Sequence, residues 1–86
     1  MIGTIKKITA NTTAQDVNIN YQEFFIQNLS ADQTVYFKEK DVDGVKCSAT
    51  NGFALAPGAT FEKCLQAKVL SIIATGSADV RIMFME

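Results

Sequence analysis

The sequence predicts an all-β fold: a single small antiparallel β-sandwich, jelly-roll-like or Ig-like, of about eight short strands. Three observations predict it. Segments rich in β-branched and aromatic residues recur along the chain, turn formers interrupt them every ten residues or so, and no stretch longer than about ten residues keeps the i, i+3, i+4, i+7 apolar spacing of an amphipathic helix. With 86 residues there is room for one core, which buries only about two-thirds of the surface the unfolded chain exposes. Residues 1–86 therefore form one domain, with no internal repeat, low-complexity segment or linker.

Taken in order, the expected strands are Ile2–Ile8, Val17–Tyr21, Glu23–Leu29, Thr34–Lys40, Val45–Ala49, Thr60–Leu65, Lys68–Thr75 and Ala78–Met85. Lys6-Lys7 and Lys38-Glu39-Lys40 read as solvated strand faces. The joints are Ser30-Ala31-Asp32-Gln33, Asp43-Gly44, Asn51-Gly52, Pro57-Gly58 and Gly76-Ser77. Glycine there supplies positive φ, Asn and Asp bond to their own backbone, and Pro57 fixes φ at a turn entry. The one proline sits between strands, where it removes no ladder donor. Val69–Thr75 and Ala78–Met85, joined by Gly76-Ser77, read as a central β-hairpin. Alternation in the last strand puts Val80, Ile82 and Phe84 on one face and Arg81, Met83 and Met85 on the other. Phe24, Phe25, Phe37, Phe61 and Phe84 are expected in the core. Phe53, just after Asn51-Gly52, either folds back as a lid or faces a partner.

Composition excludes several function classes. The chain has no histidine, so Ser-His-Asp and Cys-His arrangements are impossible and the commonest general base at neutral pH is missing. Glu23, Asp32, Glu39, Asp41, Asp43, Glu62 and Asp79 show no spacing that favours a glycosidase-type carboxylate pair. No enzyme is predicted. Two cysteines alone cannot supply a four-ligand zinc site. Asp41-Val42-Asp43-Gly44 resembles part of a calcium loop, but Thr50 stands where the bidentate Glu belongs, so a plain Asp-Gly turn is the better reading. Neither a metal nor any other cofactor is expected.

Eight basic and nine acidic side chains leave a net charge of −1. Their interleaving, with Lys38, Lys40 and Lys46 among Glu39, Asp41 and Asp43, gives no cationic stripe for a phosphate backbone, so nucleic acid is not an expected partner. The apolar run Val69–Ala74 is broken by Ser71 and far short of the ~20 residues of a membrane-spanning helix. Met1–Ile8 lacks the apolar run of a secretory signal, which predicts synthesis in the cytoplasm. Asn11-Thr12-Thr13 and Asn28-Leu29-Ser30 then match the glycosylation pattern by accident. In that compartment Cys47 and Cys64 are expected as free thiols, although a bridge closing about fifteen residues would add ~3 kcal/mol.

Phe24-Phe25-Ile26-Gln27-Asn28-Leu29, Val35-Tyr36-Phe37, the stretch Thr50 to Gly58 and the closing Ala74 to Ile82 form a layout that covers roughly residues 20–86. It resembles the small β-sandwich virion proteins of tailed bacteriophages, of the head decoration, head-fibre base or accessory capsid type. The resemblance implies a non-enzymatic virion structural protein that binds the particle surface and forms a homo-oligomer. A trimer is favoured, since closed symmetry at a local three-fold point shields edge strands. Its partners would be itself and capsid or other virion proteins, and its place the virion, after synthesis in the host cytoplasm. A tail or neck ring component is the alternative, and a soluble inhibitor or carbohydrate-binding module another, although no Trp and only Tyr21 and Tyr36 leave little for an aromatic platform. Phe53, Arg81, Met83 and Met85 are the candidate interface residues.

Overall fold

The computed structural model describes residues 3–40, 44–62 and 66–85. Seven strands order them: β1 (Gly3–Ala10), β2 (Gln15–Asn28), β3 (Val35–Glu39), β4 (Phe53–Leu55), β5 (Thr60–Phe61), β6 (Gln66–Ala74) and β7 (Ala78–Met85). Every pairing between them is antiparallel. No described residue is helical.

Strand β2 is long because it serves two sheets. Its first part pairs with β6, from Gln15 opposite Ile72 to Asn18 opposite Val69, and the register then shifts before Gln22. Its last part, Phe24 to Asn28, pairs with β7. Gln22 and Glu23 still pair with β6, so the irregularity between Asn18 and Gln22 lies within that ladder; there Asn20 takes a φ of 52°, and its N–H donates to Asn18 Oδ1 at 3.0 Å. Asparagine tolerates the left-handed region better than other residues with a side chain, so the irregularity falls where the sequence permits it. Sheet A thus runs β1-β7-β2-β5, and sheet B runs β2-β6-β3-β4. Counting β2 as two segments gives eight, and the fold is the small antiparallel β-sandwich that alternation predicts.

The core lies between the sheets. Phe24, Ile26, Val80, Ile82 and Phe84 of sheet A meet Val17, Ile19, Val35, Phe37, Leu55, Leu70 and Ile72 of sheet B. Phe24 meets Phe37 edge to face across the gap, with ring centroids 6.3 Å apart. Asn28 is fully buried among these apolar groups, and its amide repays that burial by bonding in four directions. Nδ2 donates to the carbonyls of Gln33 at 2.8 Å, Leu55 at 3.0 Å and Ala56 at 3.2 Å, and Oδ1 accepts from the N–H of Ser30 at 3.0 Å. It ties the end of sheet A to the loops of sheet B.

Three local expectations are corrected. Val45–Ala49 is not a strand; residues 44–52 form a loop, and a short strand at Phe53–Leu55 follows instead. Strands β6 and β7 do not form a hairpin: β6 is central in sheet B and β7 central in sheet A, so Gly76-Ser77 arches between layers. Two-residue hairpin turns need positive φ, which Gly76 does not adopt. A Cβ there would come within 2.7 Å of the Gln33 side chain. Phe25 is not in the core, because Phe24 takes the inward position and alternation turns its neighbour out. The Pro57-Gly58 turn does form as expected. Gly58 has a φ of 77°, and Ala59 N–H closes the turn onto Ala56 C=O at 3.0 Å.

Candidate functional site

The outer face of sheet A collects what the sequence left unplaced. Strand register sets Ile5 opposite Met83 and Met83 opposite Phe25, so three apolar side chains form one row across β1, β7 and β2. They are 63%, 38% and 42% exposed. Lone exposed apolar residues are ordinary on a protein surface; these three are contiguous, which makes the row a candidate interaction surface. The next row is polar: Lys7 opposite Arg81, Arg81 opposite Gln27, and Gln27 opposite Thr60. Glu62 follows β5 directly, and with Ile5, Phe25, Gln27, Thr60, Arg81 and Met83 it lines a shallow groove of about 310 Å³.

Of the candidate interface residues, Arg81 and Met83 lie on this face together. Arg81 is half-buried, its guanidinium donating to Asp79 Oδ2 at 3.0 Å, while its Nε is buried with no hydrogen-bond partner among the described residues. Met85 ends β7 opposite Gly3, and its side chain lies outside the described residues. Phe53 belongs elsewhere. It stands opposite Phe37 on sheet B, 58% exposed, with ring centroids 5.5 Å from Phe37 and 5.4 Å from Phe61. One side of the ring packs on Phe37 and Phe61 as a lid would, and the other is in water. Sequence reasoning missed Ile5 and Phe25; strict alternation through Phe24-Phe25 was the signal that could have found Phe25.

Sheet B carries its own cover. The loop 44–52 lies over it, and Cys47 is buried there. The N–H of Cys47 donates to Oγ of the fully buried Ser71 at 2.9 Å. Asn51 pins the loop with Oδ1 accepting from Ser48 N–H at 2.7 Å and Nδ2 donating to Lys46 C=O at 3.1 Å. Burial pushes the Cys47 thiol up, more than the Lys38 cation and a backbone hydrogen bond at Ile73 pull it down. That makes it a poor nucleophile. Cys64, and with it the question of a Cys47–Cys64 bridge, lies outside the described residues, as do Asp41 and Asp43 of the calcium-like turn.

Among the described residues no cluster of three or more Cys, Asp or Glu could hold a metal ion, and no helix is long and apolar enough to cross a membrane. Asp16 and Asp79 pair with Lys40 and Arg81 at 2.6 and 3.0 Å. The fold and this face together define a small β-sandwich with one sheet covered by its own chain and the other offering an apolar row.

No protein-family model matches the chain, and neither does any curated protein. Among solved structures, a chain from Bacillus endospore appendages, which form a novel family of disulfide-linked pili, is similar at 20% identity over 98% of this chain and 85% of its own. The TM-score is 0.41, below the level that shows a shared fold.

Proposed function

We propose that this chain is a non-enzymatic structural protein that works by self-association, an accessory component of a phage particle in keeping with the virion resemblance of its sequence. The supporting observation is the Ile5–Met83–Phe25 row on the outer face of sheet A. Burying apolar area contributes ~25 cal/mol per Å² before the cost of association is subtracted. Methionine at the centre of the row adapts to an irregular partner surface. The same face would serve a capsid accessory or a tail or neck ring, because each position asks for contact and none for chemistry.

Neighbouring residues on β7 make the test. Met83→Asp places a charge on the outer face and is expected to dissociate the oligomer by light scattering while leaving the β circular dichroism spectrum intact. Phe84→Asp buries an unpaired charge in the core and is expected to unfold the chain. If Met83→Asp keeps the wild-type mass, or if wild type is monomeric at high concentration, self-association through this face is wrong.

A further inference from the structure

The charges around the apolar row are sorted by strand. Glu23, exposed on β2, lines a groove with Phe25 and Met83; Lys7 lies on β1 at one side of sheet A, and Glu62 follows β5 at the other. Both are exposed, and neither has an ion-pair partner among the described residues. Arg81, between them, is already matched by Asp79. The face is therefore positive along one margin and negative along the opposite one, with Met83 and Phe25 between.

We infer that a second copy of this chain covers the outer face of sheet A about a two-fold axis parallel to its strands, with Lys7 of each copy set against Glu62 of the other. The inference rests on the self-association proposed above and adds its geometry. Such an axis reverses strand order across the interface: β1 of one copy lies over β5 of the other, and β7 over β2. Met83 then meets Phe25 twice, once from each side. Lys7 and Glu62 end up one outward-facing row apart, about 7 Å along the strand, a distance the four-carbon stem of lysine spans. The other two-fold axis in the plane of the face, perpendicular to the strands, keeps strand order instead. It brings the two β1 strands together and the two β5 strands together, which sets the cationic margin over the cationic margin and the anionic margin over the anionic one. Unlike charges meet only in the first arrangement, and like charges placed opposite one another oppose the second. A face that complements itself in this way makes an isologous pair, whereas a trimer requires the face to meet some different surface.

Charge exchange in the full-length chain tests the geometry, with dissociation constants read by sedimentation and folding checked by circular dichroism. Wild type is expected to be a dimer that weakens as NaCl is raised from about 50 to about 500 mM. Lys7→Glu and Glu62→Lys are each expected to weaken it about tenfold, and the double variant to recover to within about threefold of wild type. The salt response stands in for either single variant should it fail to fold. A trimeric mass, an absent salt response, or a double variant no tighter than the singles overturns the two-fold arrangement. Where Met83→Asp still dissociates the assembly, only that arrangement falls; where Met83→Asp changes nothing, the proposed self-association falls with it.

Discussion

The two sheets of this sandwich treat their outer faces differently. On sheet B the chain folds back over itself: residues 44–52 bury Cys47, and Ser71, a polar residue in mid-strand, is fully enclosed because the loop gives its hydroxyl a partner. On sheet A nothing among the described residues lies over Ile5, Met83 and Phe25. Both outer faces carry groups that are poorly served by water or by isolation, and the difference lies in where the cover comes from. Sheet B finds it within the chain, so its cover contributes to folding stability. Sheet A has no such cover among the described residues; where a second copy supplies it, as proposed, its residues can change with little effect on the monomer.

The contrast is sharpest at Gly52. A Cβ there would come within 2.5 Å of Cys47 Sγ and 2.9 Å of both Ser48 O and Tyr36 Cβ, two of them side-chain atoms close to the backbone and one a carbonyl. Gly52→Ala is expected to lift the loop and cost about 2 kcal/mol in urea unfolding, as overpacking does elsewhere; an unchanged midpoint would mean that the loop is loosely held. Next comes Ser71→Ala, which deprives the buried Cys47 N–H of its acceptor and is expected to cost about 1–2 kcal/mol. A smaller effect follows from the thiol. The Cys47 pKa is raised in the folded state, so the fold binds its proton more tightly than the unfolded chain does. That contribution is fully present below the unfolded thiol value and declines as pH rises above it towards the folded value. Thermal scans across the alkaline range should show a decline that Cys47→Ala reduces. Smallest of all is Ile5→Gln on sheet A, expected to leave monomer stability within about 0.5 kcal/mol while weakening self-association. A large loss of stability there would show that the face is held by the fold itself.

Much of the sandwich was legible because alternation is a local signal. Val80, Ile82 and Phe84 could be placed inward, and Arg81 and Met83 outward, from their order alone. The Pro57-Gly58 turn was legible for the same reason, since Pro and Gly set their own backbone angles. What escaped depends on partners distant in sequence. Whether Gly76-Ser77 makes a hairpin or an arch is decided by β2 and β3, which claim β6, and by β1 and β2, which claim β7. Residues 45–49 have a strand-like composition, but Val45 C=O accepts from Lys38 Nζ, Cys47 N–H donates to Ser71 Oγ and Ser48 N–H donates to Asn51 Oδ1, and none of them joins a ladder. Phe25 was misread by composition where period should have ruled, although Arg81 and Met83 of the same face were placed; Ile5 could be identified only once register had set it beside Met83.

The pairing of β1 with β7, from Gly3 opposite Met85 to Ala10 opposite Ala78, has a bearing on how the chain reaches its native state. β7 is the only partner of β1 among the described residues, and it is separated from it by nearly the whole sequence, so closing that ladder carries the loop entropy of almost the full chain. Folding dominated by such remote pairings is slow. During synthesis β1 must stay unpaired until the ribosome has delivered β7, and a waiting strand can pair wrongly with a neighbouring nascent chain. Lys6 and Lys7, adjacent in the middle of β1 and both exposed, put positive charge on each side of the waiting segment. Edge lysines discourage that kind of mispairing, so the two residues guard the newborn strand as well as solvating the finished one.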